Sequence, residues 1–380
     1  MPSVLQGIKV IELCEVYQGP LAGQILGDFG ADVLKIERPL RGDSLRHSDT
    51  VANAEGRMGS YFAAVNRNKR SVCLDLKAEA GRTAFLALAR EADVLLHNYR
   101  PGVMEKLGFG YDDLKQLNPR LIYAAASGFG ETGPYAGMAG QDFLIQSVSG
   151  MVWKTTTQSS EPTFINVPIA DYTSGNLLAQ GILLALLERH NSGLGQKVTV
   201  SLFSTLLSMQ SLEAATVLNY EYETRWFERA LNFTAQASDG WLTVLGFFRD
   251  NPLQLICNGL DLPDLSVLMN LPDKLSQARH KNEIAKRLSP SFQKLTVAQA
   301  VARLQKAGVL AAPILTMEEA LLHPQTQANN LVTTVPVTGQ EPMRVIANPV
   351  SLSRSPATTR LGPPQLNAHQ GDLHNGRFGP

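Results

Sequence analysis

The sequence predicts an α/β fold: a parallel sheet covered by helices on both faces, joined to a smaller second domain. Two observations carry this. Over roughly the first 130 residues, short apolar and β-branched runs alternate with amphipathic stretches long enough for helices. Strands separated by such helices pair in parallel and are buried on both faces. After residue 222 the alternation gives way to a strand-like SDGWLTVLGFF (238–248) and a mostly helical 250–310. The expected layout is a large domain over 1–222, a small domain over 223–328, and a return to the large domain over 329–380.

Taken in order, IKVIEL (8–13) is the first strand and PLAGQILGDFGA the helix after it. DVLKIE (32–37), SVCLDL (71–76), DVLLHN (93–98) and LIYAAAS (121–127) follow as strands, the last running into a glycine-rich GFGETGP turn. A long helix is expected from Asp171 to His190. NSGLG stops it, because glycine takes the left-handed conformation at a helix C-terminus. QKVTVSLF then reads as a strand and 202–220 as helix. The chain returns through a Pro-rich segment, 335–365, and the C-terminal LGPPQLNAHQGDLHNGRFGP, poor in large apolar residues, reads as extended or partly mobile.

Composition narrows the function. Thirty-four Lys and Arg against 34 Asp and Glu give a net charge of zero, which removes the electrostatic case for nucleic acid or an anionic membrane as partner. No apolar stretch reaches the roughly 18 residues of a membrane span, and MPSVLQGIKVIELCEV lacks the pattern of a secretory signal. Cys14, Cys73 and Cys257 are far apart with no CxxC, and the seven histidines show no ligand spacing. Neither a disulfide framework nor a metal site is expected, and a cytoplasmic protein is. No phosphate-binding GxxxxGK[ST], zinc-binding HExxH or nucleophile-elbow GxSxG is present, and GLGQKV (193–198) follows a helix, as a tight turn does.

Two groups of residues invite chemistry. Arg38, Arg41 and Arg46 follow one expected strand, and Arg67, Lys69 and Arg70 precede another, in loops able to hold phosphates. Asp171 opens the long helix after the strand-like FINVPIA, with Ser174 and Gly175 close behind. A helix N-terminus favours an ionised carboxylate, either as an N-cap or as a nucleophile toward a thioester or phosphoryl group. Spacing alone leaves both open.

Several ordered blocks carry a resemblance: GIKVIEL, GPLAGQILGDFGADVLKIERP, GDSLR, NRNKRSVCLDLK, ADVLLHNYRPGVMEKLGFGYDDL, NPRLIYAAASGFGETGP, GQDFLIQSVSG and ADYTSGNLLAQGILLALLERHNSGLGQKVTVSLF. Together they resemble the class III CoA-transferases, the CaiB/BaiF family that includes formyl-CoA transferase and carnitine CoA-transferase. The resemblance implies a Rossmann-like large domain, a smaller α/β domain and an interlocked homodimer. It implies an acyl-CoA and a carboxylic acid as substrates, with no prosthetic group. Asp171 falls on the family's catalytic aspartate. The CoA positions fall on Tyr17, Gln18, Arg38, Leu74, Asp75, Leu76, Lys77, Asn98, Tyr99, Arg100, Lys106, Ala139, Gly140, Gln141 and Asp142, with Arg38 and Lys106 expected at phosphates.

The sequence also departs from the pattern. Tyr17 stands where formyl-CoA transferase has glutamine, and no glycine-rich loop occurs within 230–250, which argues against formate or oxalate exchange. LNAH (366–369) replaces an LGEH-like motif. Tyr17, Tyr135, Met138 and Gln141 are candidate walls of the acyl pocket, and Arg46 or Arg67 the candidate base for a dicarboxylate. The alternative activity is a 2-methylacyl-CoA racemase, a relative that moves a proton with a His/Asp pair. Here AAASGFGETGP offers no histidine before the turn and GQD replaces GHD, so no proton carrier is present.

Overall fold

A computed structural model describes residues 3–155, 161–372 and 378. The chain divides into two compact units, Met1–Ser211 with Asn330–Pro380, and Leu212–Asn329.

The first unit is built on six strands: β1 (Lys9–Leu13), β2 (Asp32–Glu37), β3 (Lys69–Cys73), β4 (Val94–His97), β5 (Ile122–Ser127) and β6 (Lys197–Ser201). Their order is β3-β2-β1-β4-β5-β6, every pairing parallel. Strands β1, β2, β4 and β5 are buried along almost their whole length, as a sheet covered on both faces requires. Helix α1 (Gln18–Asp28) and the 24-residue α2 (Ile169–Ser192) cover one face, packing Ala22, Leu26, Leu178 and Ile182 on Val10, Leu96 and Ala124. On the other face, the helix over Glu79–Glu91 buries Phe85 and Leu88. Each such side chain contributes roughly 1.5–3 kcal/mol by leaving water.

The second unit has a three-stranded antiparallel sheet, β7 (Asn232–Gln236), β8 (Trp241–Leu245) and β9 (Leu310–Pro313). Helices between residues 252 and 306 cover it through Leu253, Ile256, Ile284, Leu288, Phe292 and Leu304. Back in the first unit, the hairpin β10 (Val332–Val337) and β11 (Gln340–Ile346) packs Val335, Val337 and Val345 on Met58 and Phe62. No helix among the described residues is long and apolar enough to cross a membrane.

The parallel strands and the long helix occupy the stretches in which the sequence predicts them, with shifted ends. β3 starts at Lys69 rather than Ser71. The strand-like FINVPIA forms no strand: 164–168 are irregular backbone, with Ile165 N–H donated to Gln146 Oε1 at 3.1 Å, and the last two residues begin α2. Reading 335–365 only as a Pro-rich return misses the β10–β11 hairpin. LNAH is ordered along the β3 edge: His369 N–H donates to Ser71 O, and Cys73 N–H donates to Asn367 Oδ1. Residues 373–377 of the C-terminal stretch lie outside the described residues.

Candidate active site

In an open parallel sheet, ligands bind beyond the carboxyl ends of the strands where the strand order reverses. Here the reversal falls between β1 and β4. A cleft of about 740 Å³ opens there, walled by the chain leaving β1 (Glu15, Val16), β2 (Arg38, Pro39), β3 (Leu74–Lys77) and β4 (Asn98–Arg100). That volume suits a large organic ligand.

The wall after β1 is held by side chains. Asn98 grips Glu15 as a strand would, donating Nδ2 to Glu15 O at 2.7 Å and accepting Glu15 N–H on Oδ1 at 3.0 Å. Asn98 thus lines the cleft while its amide is committed to the protein. Glu15 reaches Arg38 at 2.5 Å, and the Arg38 guanidinium is two-thirds exposed at the cleft mouth. Burial first, then the Glu15 charge, lifts Tyr99 to about 12, so it stays a neutral phenol.

The candidate nucleophile occupies a separate cluster. Asp171 is the third residue of α2, and the position before the helix is Pro168, which offers no capping side chain. The N-cap reading of Asp171 is therefore wrong: the helix begins two residues earlier. Its carboxyl is half-buried, and burial, reinforced by Asp142, raises its pKa to about 7. Asp142 opens the helix over Asp142–Val148, is 2% exposed, and accepts Asp171 N–H at 2.9 Å and Gln146 Nε2–H at 2.7 Å. Burial lifts the Tyr17 phenol to about 12, with Tyr172, Asp171 and Asp142 adding to it. An unsubstituted backbone lets the pieces meet. A Cβ on Gly175 would lie 2.6 Å from Gln18 O, and one on Gly140 would lie 2.2 Å from the Gly128 Cα.

The predicted residues thus divide. Arg38, Leu74, Asp75, Leu76, Lys77, Asn98, Tyr99 and Arg100 line the cleft. Tyr17, Asp142 and Asp171 form the second cluster, with Gln18 against Gly175 and Gly140 on the loop that leads to Asp142. Ala139 and Gln141 flank Gly140 and are exposed. Lys106 is exposed at the end of a helical turn whose Val103 lines the cleft, and is not itself on the wall. Sequence reasoning passed over Glu15 and Val16, although the end of β1 marked the place.

Most basic residues of the two loops are committed inside the fold rather than to the cleft. Arg67 is 3% exposed and makes a two-pronged contact with Asp28 at 2.8 and 2.6 Å. Lys69 is buried on Glu12, Pro20 O and Asn66, and Arg70 pairs with Asp32. Arg46 is forked onto Glu37 at 2.8 and 2.7 Å and lies over the Phe62 ring. Burial, the largest single influence, would raise Glu37, but the Arg46 hydrogen bond, the Lys35 and Arg46 charges and the Ser71 hydroxyl together outweigh it and hold the carboxyl at about 2. Arg46 and Arg67 are thus both committed to buried carboxylates inside the fold, which leaves neither free as the base expected for a dicarboxylate. Only Arg38 of the six basic residues lines the cleft.

A cleft beyond the carboxyl ends of a parallel sheet, where the strand order reverses, is the ligand position of a dinucleotide-binding topology, and comparison with known proteins specifies the class. Residues 5–370 match CoA-transferase family III. The chain is 36% identical over 379 residues to an acyl-CoA transferase of Fusarium pseudograminearum, covering 97% of this chain and 83% of that one. It is 32% identical over 382 residues to a succinate–glutarate CoA-transferase of Agrobacterium fabrum, covering 97% and 94%. A CAIB/BAIF family protein of Brucella suis, 30% identical, superposes with a TM-score of 0.89 over 98% of this chain and 99% of that one. The chain belongs to CoA-transferase family III and is an enzyme of that class.

Proposed function

We propose that this enzyme moves CoA from an acyl-CoA, with succinyl-CoA as the donor, to a small carboxylic or dicarboxylic acid, and that Asp171 is its nucleophile. The carrying observation is the Asp171 carboxyl itself, raised to about 7 next to Asp142 and Tyr17. Poised there, it is ionised in part at neutral pH and poorly solvated, which suits nucleophilic attack.

Asp171 attacks the thioester carbonyl. The C–S bond breaks, giving a mixed anhydride and the CoA thiolate. The thiolate attacks the aspartyl carbonyl and expels the donor acid as its carboxylate, leaving an aspartyl-CoA thioester. The acceptor carboxylate then displaces the thiolate from that thioester, forming a second anhydride. Attack of the thiolate on its acyl carbonyl releases the new acyl-CoA and restores Asp171. Exchange between two carboxylic acids is nearly isoenergetic, so the protein's task is to hold CoA and stabilise oxyanions, which backbone N–H groups of the glycine loops suit.

In this reading the nucleotide end of CoA occupies the cleft, with Arg38 on a phosphate and the 74–77 and 98–100 segments along adenine and pantetheine. Similarity to the Agrobacterium fabrum enzyme supports a dicarboxylate pair. A homodimer is also proposed. The helix over Ser211–Tyr220 buries none of its residues, and Leu218 and Tyr220 are 82% and 72% exposed, an apolar face that a second copy would cover. A cytoplasmic setting is supported by three unpaired cysteines.

The test is mass spectrometry of thioester exchange, with succinyl-CoA and acetyl-CoA offered against mixed mono- and dicarboxylic acids. A new acyl-CoA, absent with Asp171→Ala, is the expected result. Exchange that survives Asp171→Ala removes the nucleophile assignment.

A further inference from the structure

The GDSLR segment is conspicuous in the sequence and contributes no residue to the cleft wall. We propose that its Asp43 is a positioning residue, fixing the turn that carries the β1 wall of the cleft into Tyr17. This rests on reading the cleft and Asp171 as the substrate site.

The turn needs an anchor. Val16 has φ of +69°, a conformation in which a β-branched residue is a genuine outlier, tolerated where the surroundings over-determine it. Its N–H donates to Asp43 Oδ1 at 3.0 Å, and the same oxygen accepts Leu45 N–H at 3.0 Å. Asp43 Oδ2 lies 2.9 Å from Lys35 Nζ, both side chains fully buried. Lys35 also donates to Glu12 Oε1 at 2.9 Å and to Cys14 O at 2.7 Å. The Asp43 N–H is in turn held by Glu37 Oε2 at 2.9 Å. A buried chain of contacts therefore runs from β1 and β2 to the Val16 amide. Asn98 fixes the preceding residue, Glu15, on both backbone groups, and the following residue, Tyr17, is an electrostatic neighbour of Asp171. Released from Asp43, Val16 reverts to negative φ and swings Tyr17 and the cleft wall out of register.

A capping aspartate with a merely structural role makes a different prediction, and glycine tells them apart. Glycine adopts positive φ without an anchor. Asp43→Ala is expected to lower kcat/KM for succinyl-CoA about 100-fold, the scale of an ångström-sized misplacement. Adding Val16→Gly to Asp43→Ala is expected to recover roughly tenfold of that loss. A double variant no more active than Asp43→Ala, or a folded Asp43→Ala within about twofold of wild type, overturns the proposal. Should Asp43→Ala fail to fold because Lys35 is left under-paired, the same comparison is run in Lys35→Met/Asp43→Ala, which removes the buried charge with its partner.

Calorimetric titration of the same series with CoA separates this from the transferase reading. CoA affinity lost in Asp43→Ala and regained with Val16→Gly supports the turn, even if the wild type exchanges no acid tested. Affinity equal across the series overturns it.

Discussion

The Asp171 backbone N–H donates to Asp142 Oδ2 at 2.9 Å, so the residue that positions the candidate nucleophile is also a neighbouring negative charge. Burial is the larger cause of the raised Asp171 pKa and the Asp142 charge the smaller. Both favour the protonated acid. The arrangement thus keeps the carboxylate basic and reactive, at the cost of requiring neutral pH for ionisation. Exchange activity, limited by the ionised form, is expected to rise about tenfold per pH unit below about 7 and to level off above it. A kcat/KM profile for succinyl-CoA between pH 5 and 9 checks this. An inflection near 4, the ordinary aspartate range, would show that Asp171 is not poised as described.

Asp142→Asn dissects the two causes. The side-chain amide oxygen still accepts one N–H, but the charge is gone, so the inflection should move to lower pH by the smaller share of the shift. Burial remains to hold it above the usual range. The linkage has a definite sign. A raised folded-state pKa stabilises the protein at low pH, and that contribution fades as pH rises from the unfolded value near 4 through about 7. Asp171→Asn should therefore melt higher than wild type at pH 8 while losing exchange. The gain is roughly 2 kcal/mol, discounting about 1.4 kcal/mol per tenfold for the half-exposed carboxyl. Equal melting temperatures at pH 5 and pH 8 for the two proteins would contradict the burial argument.

How far the sequence reveals this fold depends on where each segment's partners lie. The buried parallel strands are legible because both faces demand apolar residues, leaving continuous runs such as DVLLH. The hairpin β10–β11 is not, because Pro336 and Pro342 interrupt VTTVPV and QEPMRVI and read as breaks. β7 is masked by the polar alternation of NFTAQ. The charged loops mislead for a related reason. Arg67 and Lys69 find their acids, Asp28 and Glu12, 39 and 57 residues away, and no local pattern distinguishes a buried ion pair from a solvated phosphate loop. Asp171 is visible as a carboxylate at a helix start, but its raised pKa comes from tertiary burial and from Asp142, 29 residues earlier.

Gly128 and Gly140 should be intolerant of any side chain. Their backbones meet so closely that a Cβ on Gly140 would lie 2.2 Å from the Gly128 Cα. Gly140→Ala must push apart the two loops, one of which leads directly into Asp142. A stability loss of about 1–3 kcal/mol is expected, together with a fall in kcat. Gly137→Ala, where a Cβ meets nothing within 4 Å, is the control and should change neither. Parallel melts and exchange rates decide; a silent Gly140→Ala would mean that the loops separate freely.

Arg38 and Glu15 predict opposite effects on substrate affinity. Arg38 is held by Glu15 across the cleft mouth, and an arriving phosphate must compete with that carboxylate. Arg38→Met should raise KM for the acyl-CoA roughly 10- to 100-fold, the range of a charge-assisted hydrogen bond. Glu15→Gln should lower KM by removing the competitor, and should leave kcat close to wild type. Arg38→Met should also flatten the salt dependence of kcat/KM, since fewer charges then draw the polyanion in. An Arg38→Met KM equal to wild type would move the phosphates elsewhere.

Arg67 provides the converse case, a conspicuous arginine buried against Asp28 inside the fold. Its guanidinium contacts both Asp28 oxygens and donates to Ile346 O, while Asn68 and Asn348 also serve Asp28. Removing the arginine alone leaves a buried carboxylate without its cation, a loss of about 3–5 kcal/mol. In a chain of this size that corresponds to a melting point lower by roughly 5 °C. Arg67→Met should therefore melt early yet keep the KM for acyl-CoA at temperatures where it is folded. Adding Asp28→Asn removes the orphaned charge and should restore part of the lost stability. An Arg67→Met protein with normal stability and a weakened KM would return this arginine to the substrate and undo the separation drawn between the buried ion pairs and the cleft.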